Sequence, residues 1–159
     1  MVRYAKQCDI PRVAALFQAV VGHLGIYSEA AREAELIRCC EPALEFMLAN
    51  DAKAISVATA RSSDSIIGFC ITRVDGQAIW LDWLGIEAKS RRKEFGVALI
   101  NNLIAEAPSR GATKVRCTTR TTNSPSIKFL LKSKFRRVRR WTVLGQEHFL
   151  WERVIQERF

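Results

Sequence analysis

The residue pattern predicts a mixed α/β (α+β) domain: a central mixed, mostly antiparallel sheet of about six to seven strands with helices on both faces. Three observations lead there. Apolar residues recur at helical spacing in some stretches, and alternate or run unbroken over short lengths in others. From residue 78 onward strand, helix and strand follow one another, which requires crossover connections. The expected order is βααβββαβαββ. With 159 residues the chain suits one domain, 1–159, and shows no internal repeat or linker.

Val2 to Lys6 reads as a short strand. Asp9 then offers an N-cap with Pro11 just inside, and Val13, Leu16, Phe17, Val20 and Leu24 mark a helix closed by Gly22 and Gly25. Ser28 to Glu33 opens a second helix, with Leu36, Ile37 and Cys40 on one face; Pro42 interrupts it, and the stretch to Asn50 has no clear period. From Ala54 the alternation is that of a strand, and residues 61–65 form a turn. Ile66 to Val74 and Ala78 to Ile86 are strands joined at Asp75-Gly76, the second apolar on both faces and hence central. Val97, Leu99, Ile100, Leu103, Ile104 and Ala107 stripe a helix that Pro108 stops. Lys114 to Thr119 returns as a strand, and Ser124-Pro125 caps a helix carrying Ile127, Leu130 and Leu131. Arg137 to Leu144 and His148 to Val154 close the chain as strands around a Gly145-Gln146 turn.

Composition narrows the function classes. An apolar content of 48% and a charged content of 26% suit a soluble globular protein. No apolar run is long enough to span a bilayer, and residues 1–6 lack the apolar stretch of a secretory signal, so the expected compartment is the cytoplasm. Cys8, Cys39, Cys40, Cys70 and Cys117 form neither a CxxC pair nor a zinc-like spacing, and read as reduced thiols; no metal is expected. The formal charge of +9 suits a polyanionic partner. However, the basic runs Arg91 to Lys93 and Lys132 to Arg140 lack the interleaved aromatics of a single-strand platform, which disfavours nucleic acid. Trp80, Trp83, Trp141 and Trp151 lie on expected strands and read as core. His23 and His148 read as surface or capping residues.

Two segments carry candidate chemistry. Arg91-Arg92-Lys93-Glu94-Phe95-Gly96 lies between a buried strand and an amphipathic helix. Helix N-termini present unpaired amides and a positive dipole end, so this loop is either a phosphate cradle or an ordinary basic turn. Asp82 lies in the apolar run Ala78 to Leu84, where a carboxylate is costly unless paired, wet or functional. It reads either as a general base or as a residue on a solvent-open or capping position.

The run from Leu84-Gly85-Ile86 through Arg91-Arg92-Lys93-Glu94-Phe95-Gly96 to Val97-Ala98-Leu99 resembles the signature of the GNAT N-acetyltransferase superfamily, a strand end followed by R-x-x-G-x-G/A at a helix start. Asn123-Ser124-Pro125-Ser126-Ile127-Lys128-Phe129 resembles its second motif, and is similar to the version in diamine and polyamine acetyltransferases. The element order agrees with that fold across nearly the whole chain. The resemblance implies an acetyl-CoA-dependent transfer to a primary amine by direct attack on the thioester. Leu84, Gly85 and Ile86 would hold the pantetheine and acetyl carbonyl through main-chain groups, with an amide near Ile86 stabilising the oxyanion. Arg91, Arg92, Lys93, Glu94, Phe95, Gly96 and Val97 would cradle the pyrophosphate, and Asn123, Ser126 and Phe129 would line the other wall. Asp82 falls where the polyamine enzymes carry an acid that accepts the substrate proton. The acceptor would be a small-molecule or peptide amine, and a homodimer would be in keeping with the family.

Three positions depart from the family pattern. Glu94 replaces the first glycine, Leu130 stands in place of the tyrosine that protonates the leaving thiolate, and Lys134 replaces the glycine of a Gly-Phe pair whose Phe135 is kept. Glu94 and Leu130 leave a second reading, a GNAT-fold protein that binds acyl-CoA with little or no turnover; the net charge alone leaves a third, a basic protein that engages RNA or ribosomes.

Overall fold

The computed structural model describes residues 1–156; the expected boundary at residue 159 lies outside them. Seven strands are hydrogen-bonded in the order β1-β2-β3-β4-β5-β7-β6. They are β1 (Val2–Tyr4), β2 (Ile55–Thr59), β3 (Ile66–Asp75), β4 (Ala78–Ile86), β5 (Lys114–Arg120), β6 (Arg136–Val143) and β7 (Gln146–Val154). Five helices accompany them: α1 (Ile10–Val21), α2 (Glu29–Arg38), α3 (Glu41–Asn50), α4 (Phe95–Glu106) and α5 (Ser124–Lys132). The fold is therefore the mixed α+β one expected, with one helix more. The chain groups into two compact units, Met1–Ile71 with Trp83–Leu99, and Thr72–Asp82 with Ile100–Phe159.

In the first unit β1, β2 and β3 are antiparallel. Every residue of β2 is buried, as is β3 from Ile66 to Thr72. Consecutive residues on a strand face opposite ways. A Cβ on Gly68 would meet the side chains of Ile86 and Leu99, the latter on α4. Phe69, its neighbour, packs on Phe17 of α1 with ring centroids 5.7 Å apart. Helices thus cover both faces of this unit's strands. Gly85 is tightly fitted: a Cβ there would lie 2.5 Å from the Phe69 ring and 3.3 Å from Val20, so only glycine fits.

Several local expectations change. Asp9 precedes α1, but its side chain does not cap that helix. Its carboxylate is taken by the Arg3 guanidinium at 2.6 and 3.1 Å and by the Lys6 amide at 2.7 Å, closing the turn Gln7–Asp9 instead. Arg3, chiefly through that hydrogen bond, holds the Asp9 carboxyl below its ordinary pKa. Ser28 does cap α2, accepting from Ala31 N–H at 3.2 Å. On α2 it is Leu36 that packs against the core, and Ile37 is exposed. The unreadable stretch is α3, with Pro42 in its first turn. Leu44 is its one buried residue and Phe46 points to solvent, which blurs the helical period.

In the second unit β4 pairs parallel with β5 over Ala78–Trp80 and Lys114–Arg116. β5 pairs antiparallel with β7 along its whole length, and β7 with β6. The cap of α5 is Asn123, not Ser124: its side chain accepts from Ser126 N–H at 3.3 Å. The final hairpin turns at Leu144-Gly145, one residue earlier than expected, because Val143 pairs with Gln146. Both turn residues have positive φ, the geometry of a tight two-residue hairpin. Of the four tryptophans only Trp151 is fully buried, its indole N–H donating to Thr119 at 2.9 Å. Cys39, Cys70 and Cys117 are buried thiols, while Cys8 and Cys40 are exposed.

Candidate functional site

The end of β4 and the start of α4 lie in one unit and form a continuous feature. Leu84 and Ile86 are half-buried, and Gly85 is buried. Glu87 N–H continues the pairing with β3 by donating to Ile67 O at 2.8 Å. The chain then makes a short turn at Ala88–Ser90 and enters Arg91 to Glu94, all four exposed. The Arg91 guanidinium folds back and donates to Ile86 O at 3.1 Å, tying the basic run to the strand end. The first backbone bond of α4 is Ala98 N–H to Glu94 O, 2.9 Å. The amides of Phe95, Gly96 and Val97 are therefore the helix's opening donors, with the positive dipole end behind them.

The backbone here is unusual. Arg92 and Glu94 both have left-handed φ, +62° and +63°. Such values are uncommon for residues with a Cβ, and two within three residues mark stored strain of the kind found at ligand loops. Glu94 occupies the position at which the sequence motif has glycine. The left-handed backbone is the physical reason for that glycine, and it persists here without it.

On the other face of these strands an aromatic cluster surrounds Trp83. Phe17 meets it edge-on at 5.3 Å, and Tyr27 packs at 6.2 Å. The Trp83 indole N–H donates to Glu35 of α2 at 3.0 Å, and Arg38 pairs with the same carboxylate at 3.2 Å. Arg32 clamps the loop before α2, donating to Tyr27 O at 3.1 Å. Glu35 was not singled out by the sequence, because an acid on a helix carries no signal for a partner on a distant strand.

The other candidates lie in the second unit. Asp82 is half-buried on β4, with its two oxygens 3.3 and 3.2 Å from Arg73 Nε. Arg73 also covers the Trp80 ring at 5.1 Å, so it spans the two side chains that alternation puts on one side of β4. A guanidinium so close competes with any amine for the carboxylate oxygens. Asn123, Ser126 and Phe129 sit together in the first turns of α5, half-buried, with Asn123 Oδ1 engaged as the cap. Leu130 is buried. The α5 end explains Lys134 and Phe135: Phe135 N–H donates to Leu130 O at 3.0 Å and Lys134 N–H to Leu131 O at 3.1 Å, with Lys134 at φ +65°. That is a Schellman ending, whose left-handed residue is ordinarily glycine and whose next residue packs back on the helix.

Cys117 is buried in β5, Ser126 is half-buried on α5 and Tyr27 is half-buried beside Trp83. His23 is exposed after α1. Among the described residues no group of three or more His, Cys, Asp or Glu is arranged to hold a metal ion, and no helix is long and apolar enough to cross a membrane.

The model of the acetyltransferase (GNAT) family matches residues 23–135. Comparison with curated proteins gives no match. Among solved structures the chain is similar to the PaiA N-acetyltransferase of Thermoplasma acidophilum in complex with coenzyme A, at 19% identity and TM-score 0.79 over 97% of this chain and 98% of that one. It is also similar to an N-acetyltransferase of Staphylococcus aureus Mu50, at 18% identity and TM-score 0.79 over 98% of each chain. The ribosomal-protein-alanine N-acetyltransferase of Brucella melitensis aligns at 18% identity and TM-score 0.75, over 97% of this chain and 99% of that one. At these identities the likeness is one of fold.

Proposed function

The chain belongs to the acetyltransferase (GNAT) family, and on that premise we propose that it is an acetyl-CoA-dependent N-acetyltransferase acting on a primary amine. The observation that carries the proposal is the start of α4. Three opening amides follow an exposed Arg91-Arg92-Lys93 run and two left-handed residues, directly after a strand end tied down by Arg91. That arrangement suits a pyrophosphate. Leu84, Gly85 and Ile86 are assigned to the pantetheine arm. Asn123, Ser126 and Phe129 are assigned to the coenzyme by the motif alone.

In the transfer, a neutral amine forms a bond to the acetyl carbonyl carbon and the C–S bond breaks. Asp82 is assigned as acceptor of the amine proton. Leu130, being apolar and buried, supplies none to the departing thiolate, which has a pKa of about 8.5 and takes its proton from solvent. The surroundings of Asp82 also bear on the acceptor. The Arg73 guanidinium already occupies the Asp82 carboxylate, which leaves that acid less able to hold a polycation. An acceptor with a single amine, such as a peptide N-terminus, fits this charge pattern better than a polyamine.

Acetyl-CoA at about a hundredfold excess over its Kd should raise the melting temperature by roughly 5–10 °C. Thiol release should appear with some member of a panel of peptide N-termini, amino acids, aminoglycosides and polyamines. Asp82→Asn should lower turnover about 10²–10⁴-fold and change its pH profile; an unchanged profile would remove Asp82 from the reaction. Leu130 and Glu94 favour a second reading, an acyl-CoA-binding protein without turnover. A thermal shift with no thiol release from any acceptor would select it.

A further inference from the structure

The last three strands carry a charge imbalance that the proposed transfer does not use. β5, β6 and β7 hold three, four and one basic residues, eight in all, against the two acids Glu147 and Glu152. Cross-strand register sorts them by face, because paired residues point the same way. Arg116 pairs with Glu152, and Arg120 with His148; on β6, Trp141 pairs with His148 and Arg136 with Glu152. A bulge at Val138 shifts the register so that Arg139, pairing with Leu150, joins the same face.

On that face the flat groups form a ladder. The Arg139 guanidinium lies over the Trp141 ring at 5.1 Å, and Trp141 stacks on His148 at 6.2 Å and 28° between planes. Trp141 and His148 are half-buried, and Arg136 and Arg139 are exposed. The chain sequence of β6 shows arginines without interleaved aromatics. Pairing with β7 sets His148 beside Trp141, at the end of the β6 arginine run, so a stacked pair of rings forms across the strands.

We propose that this face of β5, β7 and β6 binds single-stranded nucleic acid, with bases stacking on the Trp141–His148 ladder and phosphates meeting Arg120, Arg136 and Arg139, while Arg116 is held by Glu152. An acidic polypeptide would satisfy the cations. It has no use for a stacked indole, imidazole and guanidinium, whereas every base has a π-face to lay against them. The proposal is independent of acetyl transfer.

Fluorescence anisotropy with a labelled twelve-nucleotide strand of mixed sequence, made as RNA and as DNA, tests it against the same sequence in duplex form and against polyglutamate. Binding of either single strand is expected at about 0.1 M salt. Trp141→Ala should weaken it about tenfold, and Arg136→Gln should reduce the slope of log K against log salt by about 0.7. Neither variant should change the melting temperature by more than a degree or two or alter the shift given by acetyl-CoA, which separates this surface from the coenzyme site. No binding to either single strand would overturn the proposal. So would polyglutamate or the duplex binding as tightly with Trp141→Ala indifferent, which would give the face to an acidic chain or to helical backbone.

Discussion

Two substitutions in this chain can be read as backbone statements. Lys134 closes α5 in a left-handed conformation with both Schellman hydrogen bonds in place, and Glu94 holds a similar φ before α4. A Cβ in that region costs about 1 kcal/mol relative to glycine. Lys134→Gly should therefore raise the melting temperature by roughly 2–4 °C. Glu94→Gly should do the same and also tighten acetyl-CoA, since it removes a carboxylate beside the expected pyrophosphate; calorimetric titration reads the second effect. A Glu94→Gln variant that tightens binding equally would assign the whole gain to charge. Asp9 makes a separate claim. Its folded pKa is depressed, so its stabilising share is full above the unfolded value of about 3.9 and fades as pH falls through the lower, folded one. Asp9→Asn should lose about 1–3 kcal/mol at neutral pH, and its stability should fall less steeply from pH 5 to pH 2 than that of the parent. Thermal unfolding across that range measures it.

At the scale of elements, the strands were legible because burial imposes a period. β2, β3 and β4 appear within a residue or two of their expected bounds, since apolar runs and the Asp75-Gly76 turn are local signals. α3 was not legible, because Phe46 and Leu48 share a segment in which only Leu44 is fully buried. The caps were half legible: Ser28 is where it was expected, whereas Asp9 is drawn away by Arg3, a partner on another element. The site divides in the same way. The basic start of α4 is local and was found, but Glu35 beneath Trp83, Arg73 beside Asp82, and the ladder at Trp141 all depend on neighbours from other strands or helices. The Trp83–Glu35 bond is what anchors α2 to β4. Trp83→Phe should lower stability by about 1 kcal/mol, or roughly 2–4 °C, while Glu35→Gln, which keeps an acceptor, should lose less.

For the molecule as a whole, the sheet ends at β6, and that end has a protective consequence. A terminal strand offers unpaired amides and carbonyls that a second chain can extend, the first step toward fibrous aggregation. β6 carries Arg136, Arg137, Arg139 and Arg140 on both of its faces, together with a bulge at Val138 that breaks the straight template. Two approaching copies would each bring four guanidinium groups into register, so the arginines act as gatekeepers of solubility whatever else they bind. Arg137→Thr with Arg140→Thr keeps strand propensity while removing half of this guard. Light scattering on heating should show that double variant aggregating at lower concentration than the parent, and its lag should shorten as salt screens the charges that remain.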